Sequence, residues 1–241
     1  MKNLSIDKNI KTSKQAESTK KLAFLLEADA VRILNDYNIP YPRHGLAHNP
    51  EEAVRIAQEI GYPVVLKIAS PDIIHKSDVG GVALGNNCDH DVYRNFSKIL
   101  HRVLKENSKI SIEGILVCRE AQTGVEVIIG AVEDATFGPT IMFGMGGIYA
   151  EAMDDVSFRI APLDKRDAEE MVRETKGYPL LTGIRGCSAI DMHKLVELIM
   201  NVSRLITEHP EIRQLDLNPI RLYPDGLLVL DVRMLRTIKA S

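Results

Sequence analysis

At 241 residues the chain is long enough to bury a large core, either as one domain or as two lobes. Its 45% hydrophobic and 26% charged residues are ordinary for a globular protein, and a net charge of −3 gives no electrostatic reason to expect nucleic acid or an anionic membrane as partner. Trp is absent, which argues against a base-stacking surface, and no apolar run approaches the ~20 residues needed to cross a bilayer. Cys88, Cys118 and Cys187 are widely spaced without a C-x-x-C pair. They read as the reduced thiols of a cytoplasmic protein, with neither a disulfide framework nor a zinc site.

Residues 1–20 are polar and Lys-rich with no apolar core, so they read as a flexible leader and not a secretory signal. Asp7 and Glu17 count against a transit peptide. Leu22, Leu26, Ala30, Ile33 and Tyr37 fall at helical spacing and predict one amphipathic helix over Leu22–Tyr37, stopping before Pro40. A second helix starts at Asn49-Pro50-Glu51-Glu52, where Asn49 caps and Glu52 bonds back, and it ends at Gly61. The apolar run Val64–Ile68 is a strand interrupted by one charge, Lys67. It feeds SPDIIHKSDVGGV, residues 70–82, after which Val82–Leu84 resumes a strand.

Val92, Phe96, Ile99, Leu100 and Val103 mark a further helix, and Ile112–Arg119 a further strand. Val125–Val132 and Thr140–Phe143 read as antiparallel neighbours joined around 134–139. FGMGGIYAE, residues 143–151, breaks the pattern with its glycines. Val156–Ala161 is strand-like, Asp164–Thr175 a capped helix and Ala189–Ile206 a long one, while Gln214–Leu217, Ile220–Tyr223 and Leu227–Val232 are strand-like. Antiparallel hairpins without strict β-α-β alternation predict an α+β fold of two lobes, divided at 21–111 and 112–241, with a cleft for ligand between them.

The loop 70–82 concentrates a histidine, a lysine, two aspartates and a diglycine in one stretch after a strand. A solvated turn would carry such residues without purpose; a mobile phosphate-handling loop would use each of them. Lys67 either escapes to a sheet edge or faces the cleft and meets phosphate oxygens, since a lone ammonium is costly to bury. Asp216 and Asn218 share one strand face by alternation, and Asp231 follows on the next hairpin. These hard oxygen donors suit Mg²⁺ held mainly through a nucleotide's phosphates. Glu126 and Arg159 are charges within apolar strands, either at an edge or in the cleft. The run Gly144-Met145-Gly146-Gly147 permits close backbone approach but lacks the spacing of a Walker loop or a dinucleotide fingerprint.

Taken in order, SPDIIHKSDVGGV, EVIIG, FGMGGIYAEAMDDVSFRIAPL and LDLNPI resemble the nucleotide-binding β subunits of ADP-forming acetate–CoA ligases, relatives of succinate–CoA ligase, from about Leu22 to Arg236. The resemblance implies an ATP-grasp fold and a reversible reaction: acyl-CoA, ADP and phosphate giving acid, ATP and CoA. It implies a CoA-binding α subunit as partner, as an α2β2 assembly. It also implies that His75 carries the phosphoryl group from that subunit to ADP. By position, Lys67 matches the lysine that contacts nucleotide phosphates, Glu126 the ribose-binding acid, and Asn218 and Asp231 the Mg²⁺ ligands. Asp216 is expected either to bind metal or to orient His75, and Arg159 to meet phosphate. The hinge above the base departs from the family's Gln-Glu-Met, reading Cys118-Arg119-Glu120, so the backbone at Val117 and Cys118 is expected to bind the base edge while the adenine–guanine choice stays open. Two other readings share these residues: a free-standing ATP-grasp carboxylate–amine ligase, which has no use for His75, and a non-catalytic nucleotide-sensing module.

Overall fold

The structure, a computed structural model, describes residues 21–147, 155–183 and 188–238. Two antiparallel sheets organise it. The smaller has four strands in the order β2 (His44–Ala47), β5 (Gly114–Arg119), β3 (Val64–Ala69), β4 (Val82–Asn86). Helices α2 (Pro50–Ile60) and α3 (Asp89–Glu106) pack on it, and Leu66, Ile68, Phe96, Ile99 and Ile115 form its core. The larger sheet has seven strands. Its path runs β1 (Lys21–Phe24), β11 (Val232–Ile238), β9 (Ile212–Tyr223), β6 (Val125–Asp134), β7 (Gly138–Met145), β8 (Val156–Ile160), with β10 (Gly226–Val229) paired to the far end of β9. Helices α1 (Glu27–Asp36), α4 (Lys165–Arg173), the short α5 (Tyr178–Leu181) and α6 (Met192–Glu208) supply side chains to its core, around Ile129, Ile141 and Phe143.

The caps expected from sequence are formed. Asn49 accepts from the Glu52 amide at 2.8 Å, Pro50 occupies the first turn, and Gly61 at φ +91° lets the chain leave α2. Glu52 reaches back to the His48 amide at 2.8 Å, one residue before the cap. Asp164 and Asp167 close a capping box on α4. The hairpin between β6 and β7 has the expected antiparallel register, from Val127 opposite Met145 to Asp134 opposite Gly138. All pairings among the described strands are antiparallel, in keeping with an α+β fold.

Three expectations are corrected. Leu22–Tyr37 is not one helix: Lys21–Phe24 is a strand paired with Leu235–Ile238, and the helix begins only at Glu27. Helical spacing of Leu22 and Leu26 was coincidental, because pairing with a distant strand overrides local periodicity. Gln214–Leu217 and Ile220–Tyr223 are a single strand, β9, long enough to pair with β11 at one end and β10 at the other. The two cores do not part at residue 111. β1 and α1 join the larger sheet, whereas β5 sits at the centre of the smaller one, between β2 and β3. Residues 1–20, Cys187 and the Ile148–Glu151 end of the glycine stretch lie outside the described residues.

Candidate nucleotide-binding and phosphoryl-transfer site

β3 is buried along its whole length, Lys67 included. With no edge to escape to, its ammonium turns toward the larger sheet and meets Glu27, from the first turn of α1, at 2.7 Å. It also donates to the Tyr41 hydroxyl at 3.0 Å and to the Leu230 carbonyl, and stands 3.8 Å from Asp231. Tyr41 in turn donates to Glu27. A second ammonium enters from the loop: Lys76 lies 3.0 Å from Asp231 Oδ1 and 3.2 Å from Glu27 Oε2. Two lysines from the smaller sheet and its loop thus meet two carboxylates from the larger unit, each of the four at most a tenth exposed except Asp231 at 18% of its side chain.

The charges set one another. Burial alone would raise the Glu27 carboxyl, but the Lys67 and Lys76 ammoniums overcome it and hold Glu27 well below the usual carboxylate range. Asp231 goes the other way, raised by burial and by the Glu27 charge, with the lysines only partly offsetting this. Burial would also lower Lys67, yet Glu27 above all keeps it raised and charged. Glu27 Oε2 is buried and makes no hydrogen bond.

The loop that carries Lys76 is closed at its diglycine. The Gly81 amide donates to the Lys76 carbonyl at 2.7 Å, and a Cβ on Gly81 would fall 2.9 Å from that same oxygen. Gly80 takes φ +64°. Asp72 pins the start of the loop by accepting from the Ser111 amide at 2.8 Å. His75, exposed beside buried Lys76, accepts at Nδ1 from Arg233 at 3.2 Å. A guanidinium can only donate, so the ring is held by its lone-pair nitrogen. Arg233 lies 3.9 Å from both Asp216 and Asp231, linking His75 to both carboxylates. Burial raises the Asp216 carboxyl, and Arg233 and His75 pull against it. Asn218 follows on β9, its amide donating to the Asp231 carbonyl at 3.2 Å.

Lys67, His75, Asp216, Asn218 and Asp231 are therefore brought to one place. Other expected residues are not. Arg221 binds Glu126 at 3.0 Å on the same face of the larger sheet, farther along β6. Gly146 packs its backbone against Glu126, donating to the Glu126 carbonyl at 2.7 Å, so the close approach it permits is to a neighbouring strand. Val117 and Cys118 are buried in a strand flanked on both sides, which commits their amides to the sheet; burial pushes the Cys118 thiol up to about 11, and its sulfur lies 4.0 Å from Tyr41 Oη. Arg159 is placed elsewhere, paired with both Glu174 oxygens. Cross-strand register sets Arg233, Asp216, Gly130, Met142 and Phe158 in one row on one face, and Arg159 beside Phe158 points to the other face. Four strand spacings put it about 19 Å from Arg233. Glu27, Tyr41, Lys76 and Arg233 were missed from sequence. For Lys76 the signal was present: a second lysine directly after the loop histidine.

The donor set suits a hard divalent cation: the Asp231 carboxylate, the Asn218 amide oxygen, and a buried Glu27 oxygen without a hydrogen bond. Among the described residues no three His, Cys, Asp or Glu side chains are grouped so as to hold a metal ion. No helix among the described residues is long and apolar enough to cross a membrane.

Two lobes, with a lysine on an inner strand of one facing a carboxylate at a helix start and another just before a strand of the other, define a nucleotide-clamping architecture. The model of the ATP-grasp domain matches residues 16–235, and the chain belongs to that family. The chain is 44% identical over 88% of its length to subunit beta of acetate–CoA ligase [ADP-forming] I from Pyrococcus furiosus, covering 91% of it. It is also 44% identical over 95% of its length to acetate–CoA ligase [ADP-forming] I of Archaeoglobus fulgidus, but spans only 34% of that protein. Among solved structures it matches acetyl-coenzyme A synthetase 1 of Ca. Korarchaeum cryptofilum in complex with coenzyme A and Ca-AMPCP, at TM-score 0.87 and 44% identity, over 89% of this chain and 93% of that one. A second form of that protein, with Mg-AMPPCP and its phosphohistidine segment pointing towards the nucleotide binding site, matches at TM-score 0.78 and 42% identity, over 89% and 93%.

Proposed function

We propose that this chain is the nucleotide-binding β component of an ADP-forming acyl-CoA synthetase and that His75 ferries a phosphoryl group to ADP. The observation that carries the reading is the position of His75: exposed on a loop, yet tethered through Arg233 to Asp216 and Asp231 at the rim of the Lys67 cluster. Relatives of both architectures, a separate β subunit and a longer chain of which this one spans about a third, support an α component as partner; in this reading it binds CoA and assembles with the chain as α2β2.

The chemistry follows from those side chains. A lone-pair imidazole nitrogen attacks phosphorus on the partner's phosphohistidine, forming a new N–P bond as the old one breaks. The terminal phosphate oxygen of ADP then attacks the same phosphorus, and His75 leaves with its lone pair restored. Lys67 meets the phosphates, and Asp216 acts on the ring through Arg233, which stands between them. Asp231 and Asn218 would hold the Mg²⁺ that accompanies the nucleotide, and the ion so bound would neutralise phosphate charge. Glu126 binds ribose once it exchanges Arg221 for a hydroxyl. The resulting reaction is acyl-CoA + ADP + phosphate = acid + ATP + CoA.

Incubation with γ-labelled ATP and Mg²⁺ tests this. The expected result is an acid-labile, base-stable label on His75, absent from His75→Ala, which still binds ADP. A fully active His75→Ala protein with its α partner overturns the reading in favour of a carboxylate–amine ligase, and binding without any label favours a sensing module.

A further inference from the structure

Lys76 is the most buried side chain of an otherwise exposed stretch, with His75, Ser77 and Asp78 all turned to solvent. Its ammonium crosses from the loop to the larger unit and rests between Asp231 Oδ1 at 3.0 Å and Glu27 Oε2 at 3.2 Å. Among the described residues, only one other side-chain hydrogen bond ties this stretch to the larger unit, that of His75 to Arg233. The ammonium thus sits on the carboxylate oxygens that the donor set offers a divalent cation.

We propose that Lys76 is a positioning residue for phosphoryl transfer: it pins the His75 segment against Asp231 and Glu27, and Asp231 holds either that ammonium or the nucleotide's cation, never both. The inference rests on the reading above that Asp231 receives the metal. Magnesium-sized ions bind oxygen at about 2.0–2.1 Å in near-octahedral geometry. An ammonium 3.0 Å from the same oxygen would then stand beside two further positive charges with Lys67 already 3.8 Å away. Arrival of the cation therefore expels Lys76, and the segment loses its principal tie as the nucleotide site fills. By reciprocity, a segment that is docked weakens the cation's hold by the same factor. Binding the cation and freeing the histidine carrier become one event, so a cation that arrives with its nucleotide unpins the carrier as the acceptor comes into place.

Two measurements on the nucleotide-free protein test this: hydrogen exchange of the amides in 70–81, and Mn²⁺ affinity by paramagnetic resonance with the metal alone. K76M is expected to bind Mn²⁺ about five- to tenfold tighter and to lose protection across 70–81. A lysine serving structure alone would leave Mn²⁺ affinity unchanged or weaker. D231N, which keeps the shape and removes the charge, should loosen the same amides, and the double variant no further than either. Wild type should lose the same protection on Mn²⁺ addition, which decides the matter without any variant. Unchanged Mn²⁺ affinity in K76M, or protection of 70–81 that survives D231N or saturating Mn²⁺, overturns the proposal. The labelling experiment is independent: an unlabelled His75 with tighter Mn²⁺ binding in K76M sinks the transfer reading alone, and a labelled His75 with unaltered Mn²⁺ affinity sinks the pin alone.

Discussion

Lys67 shows how a buried charge is kept tolerable and useful. An ammonium in low dielectric is costly unless paired and hydrogen-bonded, and here it has a carboxylate, a phenol and a carbonyl. Removing one member of such a pair costs more than removing both, because the survivor stays buried without a partner. Lys67→Met should therefore destabilise the protein by about 3–5 kcal/mol and weaken ADP binding by about ten- to a hundredfold. Adding Glu27→Gln should restore part of the stability and none of the affinity. Urea denaturation of the two variants and calorimetric titration with ADP separate these effects, and equal stability of single and double variants would show that Glu27 is not the charge's main counterpart. The same logic explains which residues sequence could reveal. Lys67 was visible because a charge in an apolar run is anomalous; Glu27 and Arg233 were not, because each stands where a charged residue on a helix turn or strand would pass as solvated.

Elements whose signals are local were legible. α2 was bounded on both sides by Asn49-Pro50 and Gly61, and α4 by its Asp164 cap. Asn49→Ala should cost about 1 kcal/mol, read as a shift of the urea midpoint with unchanged slope; no shift would mean the Glu52–His48 bond alone suffices to start the helix. Elements fixed by distant partners were not legible. β1 is a strand because Leu235–Ile238 lies beside it, a fact no window around Leu22 contains. A division at residue 111 sends β5 to the second lobe, although hydrogen-bonding between β2 and β3 places it in the first. Arg159 misled for a similar reason: alternation along β8 is plain, but which face looks toward the site depends on register across four other strands.

At the scale of the molecule, the larger sheet ends in an apolar strip. Val156, Phe158 and Ile160 alternate on β8, the last strand of that sheet among the described residues, and all three are exposed. They contribute little to the fold they decorate. Phe158→Glu should change stability by no more than about 0.5 kcal/mol, measured by thermal melts of the isolated chain. A large loss would mean that Phe158 is packed in solution.

The pairing of β1 with β11 has a consequence for how the protein is made. Everything needed for the smaller sheet and its two helices lies between His44 and Arg119, so that half is ready to close while translation continues. The larger half is closed by two strands far apart in the chain: Lys21 lies opposite Ile238. Until β11 has left the ribosome, α1 has no finished sheet to lie on, and Glu27 cannot yet be carried to Lys67. The cleft between the two sheets is complete only after β11 has been made.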